Sequence, residues 1–265
     1  MTSIPDPLDK NSPGSLPRHN STSSLPVPGE IPWALFLDVD GTLVEIAAEP
    51  DAVHADSRLI ALLTALQHKL DGAVALVSGR TIDTLDKLFA PLHLPAAGNH
   101  GLERRASGGN VSRPRAMPDM LIIRDAFSSF VAENPGTILE DKTLSMAIHF
   151  RNRPELETQA TDLAENLVSR SVENLFLQKG KKLVEIRPGQ GDKGTAIANF
   201  LAEPPFSGRL PVFIGDDITD EKGFELVNLR GGHSIRVGND VTTAARYHVA
   251  DVTGVIRWLE DMVKA

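Results

Sequence analysis

Apolar side chains run almost without interruption from Trp33 to Leu37, a pattern suited to a strand covered on both faces in the middle of a parallel sheet. The spacing then changes. Leu59, Leu62, Leu63, Leu66 and Leu70 recur at helical intervals behind Asp56, which can cap a first turn. Ala73 to Val77 forms a second buried run, and Ile82, Leu85, Leu88 and Phe89 fit one face of a helix after it. Strand, helix, strand, helix predicts an α/β layer with right-handed crossovers.

The texture shifts after Gly101. Residues 116–133 have a helical pattern, the segments around Thr137–Leu139 and Leu144–Phe150 alternate as half-buried strands, and Pro154 can start a helix reaching Arg170. Phe176 to Ile186 reads as a hairpin around a glycine turn. Core-type alternation then returns. Asp192 can cap a helix through Ala202, Leu210–Ile214 is a strand, Asp220 precedes a helix to Leu229, Ser234–Val237 is a short strand, and Val255, Trp258, Leu259 and Met262 mark a last helix. Residues 1–29 are rich in Pro, Ser and Asn and read as a mobile tail. The predicted architecture is an α/β parallel-sheet core, residues 30–105 plus 188–265, with an inserted α+β cap at 106–187. Hinges are expected near 102–110 and 186–191, where Gly108, Gly109, Pro188, Gly189 and Gly191 fall.

Three polar clusters sit at predicted strand ends: Asp38-Val39-Asp40-Gly41-Thr42, Ser78-Gly79-Arg80 and Gly215-Asp216-Asp217-Ile218-Thr219-Asp220. In open parallel sheets, ligands collect outside those carboxyl ends. Acidic groups gathered there repel one another unless a positive charge lies between them. With neither His nor Cys in the clusters, the donors suit a hard cation, Mg²⁺ first. Asp38 is then a candidate nucleophile and Asp40 a candidate general acid/base. Thr42, Ser78 and the backbone beside Gly79 can hold phosphoryl oxygens. Lys193, in a helical first turn where the dipole disfavours a cation, calls for an anionic neighbour such as a phosphate. Asp216 and Asp220 complete the candidate metal set. Each element alone has a plainer reading: a turn aspartate, a strand-to-helix turn, a helix cap, a surface ion pair. Their order along the chain separates the set from chance.

That ordered set resembles the haloacid dehalogenase superfamily, and the segments FLDVDGTLVEI, VSGRTIDTLDKL, AGNHGLERR, LEDKTLSMAIHFR, VEIRPGQGDKGTAI and FIGDDITDEKGF resemble its trehalose-6-phosphate phosphatases over about residues 31–262. The resemblance implies a Rossmann-like core with an inserted, mobile cap and a Mg²⁺-dependent aspartyl-phosphate mechanism. It also implies hydrolysis of trehalose 6-phosphate to trehalose as the closing step of trehalose synthesis. It carries over Asp38 as nucleophile, Asp40 as acid/base and, by its backbone carbonyl, as a metal ligand, Ser78 and Lys193 as phosphate holders, and Asp216 and Asp220 as metal carboxylates. For the sugar it points to Glu140, Lys142 and Glu185, with Asn99, His100, Gly101 and Arg187 near the entrance. Val39 departs from the usual tyrosine or leucine. On chemistry alone, Glu140, Lys142 and Glu185 can equally be a surface ion-pair pattern, His149 a packed or exposed strand histidine, and Arg151 a surface cation.

Composition narrows the partners. A formal net charge of −8 disfavours nucleic acid and anionic membrane, and the absence of cysteine removes disulfides, thiolate metal sites and cysteine nucleophiles. No stretch has the length and apolarity of a membrane span, and the N-terminus has no secretion-signal pattern, so a cytoplasmic phosphomonoester hydrolase acting as a monomer on a small sugar phosphate is expected. The core motifs leave room for a phosphatase of another sugar phosphate, such as sucrose 6-phosphate, for a phosphotransferase or mutase, and for a catalytically silent sugar-phosphate sensor. A phospho-aspartate receiver needs no inserted cap and no acid at Asp40.

Overall fold

The computed structural model describes residues 24–46, 53–113, 118–180, 182–189, 191–238 and 242–264. Most of the expected tail, residues 1–23, lies outside them. Pro26, inside that expected tail, is buried, and its carbonyl accepts a hydrogen bond from Trp258 Nε1 at 2.9 Å.

The first apolar run is β1 (Trp33–Leu37), every residue buried. It lies in the interior of an eight-stranded sheet because both of its faces are apolar and must be covered. Helix α1 (Ser57–Lys69) follows, with Asp56 accepting the Leu59 amide at 2.8 Å as its cap. Its Leu59, Leu62, Leu63 and Leu66 are buried, each contributing about 1.5–3 kcal/mol. Then come β2 (Val74–Val77), α2 (Ile82–Phe89) and β3 (Ala96–Gly98), giving the parallel order β1-β2-β3.

The sheet does not stop at the expected changeover near residue 105. It continues antiparallel through β4 (Glu103–Arg105) and β5 (Val111–Ser112), so Gly108 and Gly109 belong to a hairpin of the core sheet. These strands are too short, at three and two residues, to show an alternating pattern in sequence.

The inserted segment contains α3 (Asp119–Glu133), β6 (Ile138–Asp141), β7 (Met146–His149), a 3₁₀ turn at Pro154–Leu156, α4 (Glu157–Arg170), β8 (Leu175–Gly180) and β9 (Leu183–Pro188). Its four strands form a separate antiparallel sheet in the order β6-β7-β9-β8. Met146, Ile148, Val184 and Ile186 face α3 and α4 in a second hydrophobic cluster with Ile123, Phe127, Ala160 and Ala164. Because side chains alternate along a strand, the opposite face carries what is left: Glu140, Ala147, Glu185 and Gln178 pair register-by-register as one row across all four strands.

The chain returns to the first sheet through α5 (Lys193–Leu201), β10 (Leu210–Gly215), α6 (Glu221–Leu229), β11 (His233–Val237), β12 (Tyr247–Val249) and α7 (Val252–Lys264). The full order is β12-β11-β10-β1-β2-β3-β4-β5. Strand β10 pairs with β1 on the side opposite β2, so the connections diverge at β1. That divergence opens a crevice at the carboxyl end of β1, the place where such sheets bind ligands. Phe36, Phe200 and Phe206 fill the layer beneath it, with ring centroids 5.1–6.0 Å apart. The architecture is mixed α/β, a Rossmann-like core sheet carrying an α+β cap. Among the described residues, no helix is long and apolar enough to cross a membrane.

Candidate active site

Asp38 is the first residue past β1 and is 4% exposed. Asp216 immediately follows β10, and Asp220 ends a one-turn 3₁₀ segment, Ile218–Asp220, whose cap is Asp217. Each of Asp38, Asp216 and Asp220 offers an oxygen within 4.8 Å of the other two. Gly41, with φ +77°, makes the turn that brings Asp216 in: a Cβ there would lie 2.3 Å from Asp216 Oδ2.

Lys193, 3% exposed, places Nζ 2.6 Å from both Asp38 Oδ1 and Asp220 Oδ1. The Thr42 hydroxyl donates to Asp38 Oδ2 at 3.2 Å. Burial pushes the Asp38 carboxyl well above its usual range; Lys193 pulls it down, and Asp220 and Asp216 push it further up. Lys193 is raised instead, because Asp220 and Asp38 outweigh its burial. Three carboxylates converge here, with one ammonium bridging two of them. An all-oxygen donor set of that kind fits a hard divalent cation, and Mg²⁺ suits it.

Asp40 is held differently. Arg80 grips it in a fork, Nε to Oδ2 at 2.7 Å and Nη2 to Oδ1 at 2.6 Å. Ser78, fully buried after β2, accepts the Arg80 amide at 3.2 Å. Gly79 allows His100 to close over this turn: a Cβ on Gly79 would meet His100 Cε1 at 2.7 Å.

Above these groups, the polar row of the cap sheet closes the same pocket, which Asp38, Asp40, Ser78, Gly79, Lys193, Asp216, His100, Glu140, Lys142 and Glu185 all line. Lys142 Nζ lies 3.1 Å from Glu185 Oε1 and 3.8 Å from Glu140 Oε2. Burial works against the charge of Glu185, but Lys142 and His100 overcome it and hold its carboxyl far below the usual range. Lys142 is raised by the same pairing against its own burial. Burial likewise opposes the Glu140 charge, and a 2.8 Å contact with His149 Nε2, assisted by Lys142, lowers it. Burial lowers His100, with Glu185, 3.5 Å from its Nε2, acting in the opposite direction.

Not every expected residue reaches the pocket lining. Thr42 and Asp220 sit just beneath it, fully buried, supporting Asp38 and Lys193. Asn99, also fully buried, bonds Glu103 Oε1 and the Lys142 carbonyl at 3.0 and 3.3 Å. Gly101, at φ +99°, packs against the Asp192 carbonyl at the start of α5. Arg187 bonds Gln178 Oε1 and the Gly191 carbonyl, both at 2.9 Å, and so ties the returning chain to the cap sheet.

Conversely, Arg80, His149, Arg151, Gln178 and Leu183 line the pocket without having been marked for it. Only the register that aligns Gln178 with Glu185 and Leu183 with His149 reveals that these three share the face of Glu185.

Comparison with known proteins agrees with this geometry. A model of the family described as trehalose-phosphatase matches residues 36–252. A probable trehalose-phosphate phosphatase of Sinorhizobium fredii is 44% identical over 209 residues, 79% of each chain. The trehalose-6-phosphate phosphatase of Escherichia coli is 42% identical over 236 residues, 88% of this chain and 87% of that one. A crystal structure of a trehalose-6-phosphate phosphatase related protein superposes with a TM-score of 0.70 at 28% identity, covering 87% of this chain and 96% of the other.

Proposed function

The chain belongs to the trehalose-phosphatase family of the haloacid dehalogenase superfamily, and from that premise we propose that it is a Mg²⁺-dependent phosphatase that hydrolyses trehalose 6-phosphate to trehalose and phosphate. The observation that carries this reading is one pocket with a carboxylate–lysine–serine floor and a roof carrying Glu140, Lys142 and Glu185. The floor suits any phosphate monoester; the roof decides the leaving group.

Asp38 attacks phosphorus with one carboxylate oxygen, the bond to the sugar oxygen breaks, and that oxygen takes a proton from Asp40. Water then attacks the aspartyl phosphate, Asp40 accepts its proton, and inorganic phosphate leaves with Asp38 restored. Arg80 engages both oxygens of Asp40, so Asp40 must release one of these bonds to serve the leaving oxygen. Lys193 and Ser78 hold phosphoryl oxygens, helped by the backbone beside Gly79 and by Thr42 through Asp38. Asp38, Asp216 and Asp220, with the Asp40 carbonyl, would hold Mg²⁺, which when bound offsets repulsion between carboxylate and phosphate and polarises the phosphoryl group.

In the roof, Glu140 and Glu185 supply acceptors and Lys142 a donor, alternating across one face as a ring of sugar hydroxyls requires. His100 extends the row from the floor. Asn99, Gly101 and Arg187 act by holding that roof against the core. Closure of the cap residues, about 118–188, would exclude bulk water from the aspartyl phosphate, and opening would release product.

Phosphate release from trehalose 6-phosphate, sucrose 6-phosphate and glucose 6-phosphate tests the assignment. Rapid release from the first alone, abolished by EDTA and restored by Mg²⁺, is expected. Equal rates on all three would remove the trehalose assignment and leave a general phosphatase.

A further inference from the structure

One side chain outside the pocket lining joins cap to core. Ser145 lies in the turn between β6 and β7 and is 1% exposed. Its Oγ is 2.6 Å from Glu185 Oε1 and 3.2 Å from Asn99 Oδ1. Both neighbours are acceptors, because Asn99 turns its Nδ2 toward Glu103 Oε1 and the Lys142 carbonyl. A hydroxyl has one proton to share between them, and the nearer, charged oxygen takes the stronger bond.

The turn itself is tightly tied. The Lys142 amide donates to the Ser145 carbonyl at 3.0 Å, and the Leu144 amide to the Lys142 carbonyl at 2.8 Å. Asn99 therefore touches both ends of this turn from the core side. Asn99 is itself immobilised: Glu103 holds its Nδ2 with one oxygen and the Ile82 amide, at 2.9 Å, with the other. Its backbone sits at φ +49°, a conformation that needs such support in a non-glycine residue.

We propose that Ser145 is a positioning residue that holds Glu185 Oε1 toward Lys142, so that the carboxylate presents its other oxygen to the pocket. Resting on the sugar-site reading above, this goes beyond it in saying what holds Glu185 in place. With the cap seated, Ser145 fixes Glu185 Oε1 toward Lys142, and Glu185 Oε2 is left facing His100 and the pocket. Without the hydroxyl, Glu185 Oε1 keeps Lys142 but loses its shortest donor, and the carboxylate is freer to turn away from the pocket.

The full chain with Mg²⁺ provides the test, using trehalose 6-phosphate and p-nitrophenyl phosphate as substrates. Ser145→Ala is expected to lower kcat/KM for trehalose 6-phosphate about 10- to 100-fold, the range for losing a buried hydrogen bond to a charged group, and to change that for p-nitrophenyl phosphate less than about twofold. Ser145→Cys, of similar volume but a poor donor, carries the same expectation if the alanine variant folds badly. Combined with Glu185→Gln, Ser145→Ala should add no further loss.

Equal losses on both substrates, an additive loss in the double variant with Glu185→Gln, or no loss in either single variant would overturn the proposal. A parent protein that does not prefer trehalose 6-phosphate over glucose 6-phosphate overturns the sugar reading itself. A discriminating parent whose Ser145→Ala variant fails on both substrates alike overturns only the role of Ser145.

Discussion

Replacing Lys193 with methionine leaves an unbranched side chain one atom shorter and deletes its charge. In the parent, the ammonium is 3% exposed and lies 2.6 Å from one oxygen of Asp38 and one of Asp220. Without it, Asp38 and Asp220 lose the ammonium that bridges them, inside a cluster whose three carboxylates have oxygens within 4.8 Å of one another. Removing one partner of a buried ion pair costs about 3–5 kcal/mol, a large part of the roughly 5–15 kcal/mol that holds a domain folded. For a domain of this size, each kcal/mol moves Tm by about 2–4 °C, so the metal-free variant should melt about 6–20 °C below the metal-free parent. A divalent ion restores positive charge at the same oxygens, so excess Mg²⁺ should recover much of that gap. Phosphate release should stay depressed regardless, because the ammonium proposed to hold the phosphoryl group is absent. Thermal unfolding in EDTA and in Mg²⁺, beside a phosphate-release assay, measures both. An unchanged Tm in EDTA would refute the view that Lys193 is the buried counter-charge of this cluster.

Other outcomes follow from the same contacts. Asp38→Asn should remain folded and still bind ligand while phosphate release vanishes; near-normal turnover would exclude Asp38 as the nucleophile. Lys142→Ala should lower kcat/KM for trehalose 6-phosphate far more than for p-nitrophenyl phosphate, and parallel losses would mean that the lysine does not contact the sugar. Glu185 has its folded-state pKa depressed, so it contributes stability above its unfolded value near 4.5 and loses that contribution as pH falls toward the lower folded value. Denaturant titrations below about pH 4.5 should therefore show a steeper acid loss in the parent than in Glu185→Gln; identical slopes would show that the Lys142–Glu185 pair is not linked to folding.

The floor of the site was legible because its chemistry sits in short contiguous motifs at strand ends. Asp38 and Asp40 share one turn, Ser78 and Arg80 another, and a continuous apolar strand preceding each turn dictates that it emerges at the carboxyl edge. The role of Arg80 was not legible, because its partner Asp40 is 40 residues away. Nor were β3, β4, β5 and β12, which are two or three residues long and too brief for any periodicity. The changeover expected at residue 105 fell inside the β4–β5 hairpin for that reason.

For the cap, local pattern and tertiary placement divide cleanly. Alternation in the sequence showed that residues near Glu140, His149 and Glu185 occupy strands, and spacing showed which of their neighbours face the helices, but β7 and β9 are buried on both faces rather than half-buried. Only the pairing of four strands placed Gln178 in the same row as Glu185, and only the seating of that sheet on the core brought Ser145 to Asn99. The physical reason is range. Helix caps, turns and apolar stripes are set by residues a few positions apart, so one sequence displays them. A hydrogen bond between Ser145 and Asn99 spans 46 residues and two sheets, and it exists only after both hydrophobic cores have formed.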